Sequence, residues 1–273
     1  MQNQTSPLVL SFNASDPVGA VGLQADLASF AAMGCHGLSV TTAILIGDTT
    51  GIEDVQDMDV DWVADQARVL LEDMPVAAFK VGYPGSLESI AAIAEIMSDY
   101  PEIPLVLDPF QSSMPEPAEE GEELLVAMRE LLVPQSTLLL LSAVELARFA
   151  ETWRDPLPAR SIADDAAELV KMGCAHVFVT HTGDVQEVAN TLYGEEGQLR
   201  HDRWERQPGS FAGAGSTLSA TIAALLANGV GVPEAVAEAQ EFNVASIAHA
   251  QRLGMGRLIP DRHFWARESD DNP

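Results

Sequence analysis

The sequence has almost no lysine. Among its 273 residues only Lys80 and Lys171 are lysines, and 14 basic residues face 41 acidic ones, which gives a formal net charge of −27. A surface of that sign repels the phosphates of nucleic acid and of anionic lipid, so it argues against partners of either kind. It also destabilises the fold by self-repulsion unless salt screens it. We interpret the charge as adaptation to a salty cytoplasm, not as a binding site.

Cysteine and long apolar runs are also scarce. The two cysteines, Cys35 and Cys174, each follow a Met-Gly pair, where a small apolar residue entering a buried strand is expected. Two cysteines in a reducing compartment rarely form a disulfide, so we expect both thiols to be unpaired. No apolar run reaches the roughly 18 residues of a membrane span, and the N-terminus lacks the regions of a secretory signal. The sequence therefore predicts a cytoplasmic protein that does not engage a membrane.

Apolar strands and helices, by contrast, alternate along the whole chain. Apolar residues make up 47% of the sequence, and its length is near the upper size of one hydrophobic core, so one domain over 1–273 is expected. Alternation of this kind predicts βαβ units and a mostly parallel sheet covered by helices. The predicted strands are 8–13, 37–47, 76–83, 104–110, 137–141 and 176–180, followed by a hairpin over 186–206. The predicted helices are 22–34, 59–74, 86–100, 119–132, one from Ala143, one from about Ile162, 216–228 and 233–253.

Polar residues after the predicted strands are the first candidates for a site, because ligands in open α/β sheets bind beyond the carboxyl ends of the strands. They lie at 13–16, 47–50, 80–83, Asp108, Ser142, 180–182 and the loop at Gly213. Asp108 has the oxygen ligands that Mg²⁺ takes, often through water. The alternative is an aspartate that caps the turn before Pro109.

The stretch Gly213-Ala214-Gly215-Ser216 leads into a helix of small residues. Its two glycines let backbone N–H groups approach an oxyanion, and the helix adds its positive end, so this stretch can hold a phosphoryl group. The alternative is a capped helix with Ser216 as its N-cap. Neither this stretch nor "GAVG" at 19–22 has the spacing of a Walker A loop or of a dinucleotide fingerprint.

Four landmarks resemble the hydroxymethylpyrimidine/phosphomethylpyrimidine kinases of thiamine biosynthesis, in the ribokinase-like superfamily. "ASDPVGAVGLQAD", "KVGY", "VLDPF" and "GAGSTLSA" resemble G-S-D-P-S-G-G-A-G-I-Q-A-D, K-I-G-M, V-L-D-P-V and G-T-G-C-T-L-S-A of that family. The resemblance extends from about residue 8 to 265, where "GMGRLIPDRHF" is similar to the closing G-x-G-x-x-x-x-x-H-F. It implies a three-layer α/β/α domain, a homodimer, a small-molecule substrate, and ATP and Mg²⁺ as cofactors.

The resemblance also implies roles for single residues on the acceptor side. Gly213, Ala214 and Gly215 match the anion hole, and Ser216 takes the place of the residue next to the hydroxyl that is phosphorylated. Asp26 matches the carboxylate that hydrogen-bonds the aminopyrimidine, the alternative being a solvated residue on the first helix. The remaining acceptor contacts are expected from Ala14, Gly47, Tyr83 and Asp108.

On the nucleotide side, the resemblance implies contacts from Ser142, Thr180 and Thr182, while Asp108 and Glu145 match positions that organise Mg²⁺ and phosphates. Lys80 has two interpretations. A lysine in an apolar strand is unfavourable unless it is paired, so Lys80 either assists the phosphates or is a structural lysine whose head reaches water.

Five changes in the pocket, at six positions, depart from the family pattern. Ser216 stands in place of Cys, Ser142 in place of the Asn of N-x-x-E, Thr180 in place of the Lys of K-G-G-H, Phe211-Ala212 in place of Thr-His, and Gly47 in place of the Gln that contacts the pyrimidine. Serine is a poorer proton acceptor than a thiolate, and a positioned general base contributes about 10²–10⁴-fold. Phosphoryl transfer depends mostly on positioning, so a serine can slow it without abolishing it.

Two functions of different class follow. The first is an ATP- and Mg²⁺-dependent kinase of 4-amino-5-hydroxymethyl-2-methylpyrimidine, of its monophosphate, or of both. The second is a catalytically weak or inactive kinase-fold protein that binds a pyrimidine, a pyridoxal-like ligand or a nucleotide, and a kinase of altered substrate lies between them.

Overall fold

Strands and helices alternate along the chain as the sequence predicts. The computed structural model describes residues 5–109, 121–153, 160–184 and 186–266. The strands are β1 (Leu8–Ser15), β2 (His36–Gly47), β3 (Ile52–Asp57), β4 (Val76–Val81), β5 (Leu105–Leu107), β6 (Leu138–Ser142), β7 (Val177–Thr180), β8 (Glu187–Gly194) and β9 (Gly197–Glu205). The helices are α1 (Gly22–Ala32), α2 (Val60–Asp73), α3 (Leu87–Ser98), α4 (Gly121–Leu131), α5 (Ala143–Ala150), α6 (Ile162–Lys171), α7 (Ala214–Ala227) and α8 (Val232–Ala248).

These strands form one sheet of nine strands in the order β3-β2-β1-β4-β5-β6-β7-β8-β9. The neighbours from β2 to β7 in this order pair in parallel, whereas β3, β8 and β9 pair antiparallel at the two edges. The predicted mostly parallel sheet and the predicted hairpin are both confirmed. Because the central strands are parallel, their carboxyl ends meet at one edge of the sheet.

Helices cover both faces of the sheet and give it two apolar cores. Side chains from α2 to α6 pack with Leu139 and Leu141 of β6 on one face. Side chains from α1, α7 and α8 pack with Leu138 and Leu140 on the other face. Neighbouring residues of a strand point to opposite faces, so one apolar run supplies both cores. The three-layer architecture is confirmed.

The sequence also identifies several helix ends correctly. The Asp59 carboxylate accepts a 3.0 Å hydrogen bond from the Asp61 backbone and so caps α2 at the predicted start of this helix. Gly34, after α1, has a φ of +75°, as expected of a glycine that stops a helix. Cys35 and Cys174 are buried and unpaired, as predicted.

Two elements differ from the sequence prediction. The antiparallel strand β3 is missing from the prediction, because its exposed, acidic residues carry little apolar alternation. Helix α8 ends at Ala248, not at 253, because the backbone of Gln251 exchanges hydrogen bonds of 2.9 and 3.0 Å with Ile259. The predicted start of α4 at 119 and the strand end at 110 lie outside the described residues. Among the helices of the described ranges, none is long and apolar enough to span a membrane.

Candidate active site

A cavity of about 510 Å³ lies at the carboxyl ends of the parallel strands. The residues that end or follow five strands line it: Asp16 after β1, Gly47 of β2, Asp108 after β5, Ser142 of β6 and Thr180 of β7. This is the edge at which the sequence predicts the site.

The structure brings most of the predicted site residues into the lining of this cavity, but not all of them. The lining includes Gly47, Asp108, Ser142, Glu145, Thr180, Gly213, Ala214, Gly215 and Ser216. The predicted residues outside the lining are Ala14, Asp26, Lys80, Tyr83 and Thr182. Thr182 donates its hydroxyl to the Ala189 carbonyl at 3.0 Å, and Ala14 is fully buried. The predicted ligand contacts of these five residues therefore stay predictions that the lining of the cavity does not support.

Asp26 is fully buried, so the alternative of a solvated helix residue is wrong, and its role as the ring anchor stays a prediction. Lys80 Nζ lies 3.0 and 3.2 Å from its two carboxylate oxygens, and the two side chains are 1% and 0% exposed. Ser11 and Asn13 of β1 donate to the same carboxylate at 2.7 and 2.9 Å. Lys80 is thus paired inside the protein, so its head does not reach water, and its assistance to the phosphates stays a prediction.

The stretch 213–216, called the glycine loop below, begins α7 as the sequence suggests, but Ser216 is not its N-cap. That position is Gly213, with a φ of +91° and no side-chain cap. The Thr217 N–H donates a 2.9 Å hydrogen bond to the Gly213 carbonyl at the start of the helix. The N–H groups of the first turn have no acceptor within the helix, and the positive end of the helix dipole adds to them. The loop lines the cavity and has the chemistry of an anion site.

Residues 16–21, called the opening loop below, face the glycine loop. The Asp16 carboxylate accepts hydrogen bonds of 2.9 Å from the backbone N–H groups of Val18, Ala20 and Val21. In the sequence Asp16 is only one polar residue of a strand end, and its role as the centre of this loop is not readable there. The carboxylate fixes the loop against the cavity that it lines.

Arg262 is another residue that sequence reasoning missed. Its guanidinium is buried between the two loops and donates to the carbonyls of Gly19 and Ala20 at 3.1 and 2.6 Å, and to Thr217 Oγ1 at 2.9 Å. It lies within the closing landmark, directly before the His263-Phe264 pair that matches the H-F of the family pattern.

Asp108 is the most perturbed carboxylate of the cavity. Desolvation raises its pKa to about 6, against the opposing effects of the Lys80 charge and of a hydrogen bond from Ser219. Ser219 Oγ donates to Asp108 Oδ2 at 2.6 Å. A buried carboxylate with a raised pKa in a cleft is typical of a functional group. The alternative, a turn cap before Pro109, does not account for its buried partners.

Glu145 lies beside Asp108 in the lining, and both have the hard oxygen donors that Mg²⁺ takes. Ser142 and Glu145 form a capping box at the start of α5, in which Glu145 accepts from the Ser142 backbone at 2.6 Å. The described residues hold no group of three or more metal-ligating side chains. Two carboxylates fit a magnesium ion that keeps several waters and binds substrate phosphates, which is the usual mode of this ion.

At the β7 end of the cavity, charge differs from the family pattern, which has a lysine where Thr180 stands. His181 has a left-handed φ of 59°, and its Nδ1 lies 3.0 Å from Thr180 Oγ1. Burial, with a smaller effect of the Arg206 charge, lowers the pKa of His181, so the imidazole is neutral near pH 7. Arg206 lines the cavity here and supplies a permanent positive charge.

The substitution of Gly47 for glutamine has a steric reason. A Cβ atom at Gly47 would lie 2.4 Å from the Gly51 carbonyl oxygen. The turn between β2 and β3 therefore approaches the strand too closely for a longer side chain. Apolar groups also line the cavity, among them Val21, Leu45, Ile52 and Phe211.

Comparison with solved structures identifies the class of this fold. A structure of the pyridoxal kinase from Staphylococcus aureus in complex with ADP matches with a TM-score of 0.83 and 25% identity over 96% of each chain. A phosphomethylpyrimidine kinase from Clostridium difficile matches with a TM-score of 0.73 and 25% identity over 89% of this chain and 100% of that chain. The fold and the site are those of a ribokinase-like, ATP-dependent small-molecule kinase.

The family is equally clear from sequence. The family model for phosphomethylpyrimidine kinase matches residues 16–261. The hydroxymethylpyrimidine/phosphomethylpyrimidine kinase of Rhizobium meliloti is 32% identical over 266 residues, which cover 94% of this chain and 97% of the relative. The chain belongs to the phosphomethylpyrimidine kinase family.

Proposed function

We propose that this protein transfers the γ-phosphoryl group of ATP to 4-amino-5-hydroxymethyl-2-methylpyrimidine and to its monophosphate, as a kinase of thiamine biosynthesis. One observation carries the proposal: the glycine loop and the buried Asp108 line the same cavity, in a chain that matches the family over residues 16–261. Relatives named for both pyrimidine substrates support the choice of acceptor.

The glycine loop is proposed to receive the transferring phosphoryl group. A substrate oxygen bonds to the γ-phosphorus while the bond to the ADP oxygen breaks, and negative charge spreads over the phosphoryl oxygens. Backbone N–H groups aimed at that charge stabilise it without rearrangement. We assign this role to the amides of Ala214, Gly215 and Ser216, which line the cavity, and the positioning of the acceptor oxygen to Ser216.

The nucleotide site is proposed to use ATP together with Mg²⁺. Asp108 and Glu145 would hold the ion, which when bound neutralises phosphate charge and keeps Asp108 ionised. Asp26 and Lys80 act indirectly, since the Lys80 charge lowers the pKa of Asp108. Ser142, Thr180 and the cation Arg206 line the cavity toward β6 and β7.

We test this function by mass-spectrometric detection of product. The pure protein is incubated with ATP, Mg²⁺ and one acceptor, at low and at high potassium chloride. The acceptors are the hydroxymethylpyrimidine, its monophosphate and pyridoxal, the last because a pyridoxal kinase is among the similar structures. We expect phosphorylated pyrimidine from the native protein, with more product at high salt because salt screens the acidic surface.

The Gly213→Asp variant is the negative control, because its side chain has no room beside the Ala20 carbonyl and its carboxylate repels a phosphoryl group. Product from pyridoxal alone would replace the proposed acceptor. Saturable ligand binding without product from any acceptor would favour the weak or inactive binding protein. Unchanged turnover in Gly213→Asp would remove the glycine loop from the mechanism.

The proposed setting is a homodimer in a salt-rich, reducing cytoplasm. The unpaired buried cysteines and the net charge of −27 support the compartment, and the family resemblance supports the dimer. Light scattering in high potassium chloride measures the mass, and a mass of one chain would contradict the dimer.

A further inference from the structure

Arg262 ties the opening loop and the start of α7 to its own C-terminal segment, three parts of the chain that are distant in sequence. Its Nη1 donates to the Gly19 carbonyl at 3.1 Å, its Nη2 to the Ala20 carbonyl at 2.6 Å and more weakly to the Gly213 carbonyl at 3.4 Å. Its Nε donates to Thr217 Oγ1 at 2.9 Å, and that hydroxyl in turn donates to the Gly213 carbonyl at 2.8 Å. One side chain therefore fixes the opening loop to the glycine loop, which begins α7.

These acceptors are all neutral oxygens, three carbonyls and one hydroxyl. The guanidinium charge is 5% exposed and stays on at neutral pH, because burial lowers its pKa only to about 10. A buried positive charge that bonds to neutral oxygens is not cancelled by a counter-charge, so its positive potential extends to the backbone around those oxygens. Here they belong to the two loops that line the cavity.

The two loops are held from both sides. Asp16 binds N–H groups of the opening loop, and Arg262 binds two of its carbonyls. A Cβ atom at Gly213 would lie 2.8 Å from Arg262 Nη2, so the guanidinium packs directly on the glycine loop. The planar fork of an arginine can serve these divergent acceptors at once, whereas a lysine offers one point of attachment.

We propose that Arg262 is a positioning residue for phosphoryl transfer, which locks the glycine loop against the opening loop and adds positive potential beneath the anion site. The proposal rests on the proposed role of the glycine loop. It predicts that loss of the guanidinium weakens the hold on the transferring phosphoryl group more than the hold on the nucleotide.

The experiment compares affinity for ADP–Mg²⁺ with affinity for ADP–Mg²⁺ plus tetrafluoroaluminate, an anion that mimics the transferring phosphoryl group. Both are measured by isothermal titration for the native protein, Arg262→Lys and Arg262→Gln, without any acceptor. The matched control is Arg252→Gln, an exposed arginine of the same C-terminal segment whose guanidinium bonds to the Gly256 carbonyl. Turnover of the pyrimidine, with kcat and KM separated, is measured in parallel.

For both Arg262 variants we expect the gain in affinity from tetrafluoroaluminate to fall by about 10- to 100-fold, with affinity for ADP within about threefold of native. The value of kcat should fall by a similar factor, while KM for ATP changes little. Arg252→Gln should keep the native values. An unchanged gain from tetrafluoroaluminate in folded Arg262→Lys and Arg262→Gln, or an equal loss of affinity for both nucleotide complexes, overturns the proposal.

Thr217→Val keeps the proposal testable if the Arg262 variants do not fold. It removes the hydroxyl that links Arg262 to the Gly213 carbonyl while nearly preserving side-chain shape. We expect a smaller loss of the same kind, and a folded Thr217→Val with native affinities would overturn the proposal. If the native protein gains from tetrafluoroaluminate but phosphorylates no pyrimidine, the proposed acceptor fails and the role of Arg262 stands. If tetrafluoroaluminate does not raise the affinity of the native protein for ADP–Mg²⁺, the proposal for Arg262 is wrong.

Discussion

A Cβ atom on Gly213 would lie 1.7 Å from the carbonyl oxygen of Ala20. The glycine loop and the opening loop therefore touch at a point where only glycine fits, and Gly213 also adopts a φ of +91° that side chains disfavour. Gly215, two residues on, has open space where its Cβ would be. Of the two glycines of the loop, Gly215 has room for a side chain and Gly213 does not.

We expect Gly213→Ala to lower the melting temperature strongly and to abolish turnover, because the loops must separate to admit the methyl group. Gly215→Ala should be as stable as native or more stable by up to about 1 kcal/mol, because alanine favours the helix. Thermal unfolding of both variants checks this. Equal stability of the two would show that the loops do not make this close contact.

The buried pair of Asp26 and Lys80 gives a second prediction. Lys80→Met leaves the Asp26 carboxylate buried without its counter-charge, which should lower the free energy of unfolding by about 3–5 kcal/mol. The double variant Lys80→Met/Asp26→Leu should recover part of this loss. The control is Arg68→Met, which breaks a surface pair with Glu95 whose side chains are 52% and 70% exposed, and should cost at most about 1 kcal/mol. Urea unfolding that gives similar losses for Lys80→Met and Arg68→Met would contradict the prediction.

Much of the fold could be predicted from the sequence because its signals are local. The apolar run of β6 and the glycine that ends α1 are readable over a few residues, and so is the glycine loop. Strand β3 is not, since an exposed edge strand needs no apolar alternation. The end of α8 is also hidden, because it depends on pairing between Gln251 and Ile259.

The candidate site was predictable only as far as strand ends and family landmarks reach. Asp26 stands on a helix in a family landmark, but its partner Lys80 is 54 positions away, and no spacing reveals that the two charges neutralise each other. Arg262 bonds to Gly19 across 243 positions. Contacts of this range arise from packing, so a residue can match a family position while its role is decided elsewhere in the chain.

Asp108 makes the stability of the ligand-free protein depend on pH. Its pKa is about 6 in the fold, above the ordinary 3.8, so the folded state binds this proton more tightly than the unfolded state does. The resulting stability is fully present below about pH 4 and is lost as pH rises through about 6. Asp108→Asn removes the titration, so the stability of the variant relative to native should rise by about 2 kcal/mol between pH 4.5 and 7.5.

Urea unfolding in constant potassium chloride, without nucleotide or Mg²⁺, measures this gain. Asp48→Asn is the control, because hydrogen bonds from Thr50 lower the pKa of the exposed Asp48 and keep its titration below the scanned range. A difference between Asp108→Asn and native that does not change with pH would mean that Asp108 ionises normally.

Ser219 should set the pH at which the enzyme loses activity in acid. Its hydroxyl stabilises the ionised form of Asp108, so Ser219→Ala should raise the pKa of Asp108 further and move the acid limb of kcat/KM to higher pH. Thr221→Val, on the same helix, removes a hydroxyl that bonds to the Thr217 carbonyl instead and should leave the limb in place. If the acid limb of kcat/KM in Ser219→Ala stays at the native pH or moves to lower pH, the ionisation of Asp108 does not cause that limb.

Ser216→Cys should raise kcat by about 10- to 100-fold, because a thiolate at the positive end of α7 can accept a proton that a serine hydroxyl cannot. The gain should grow with pH as the introduced thiol ionises, and Ser216→Ala should have a lower kcat than native because it loses the hydroxyl that positions the acceptor. The rate of alkylation at different pH values measures the ionisation of the introduced thiol without interference from the native cysteines. Burial raises the pKa of Cys35 and raises that of Cys174 to about 12, so the native thiols stay protonated. A folded Ser216→Cys whose thiol ionises near neutral pH but whose kcat equals that of native would show that the acceptor needs no base at this position, and that the loop catalyses by positioning alone.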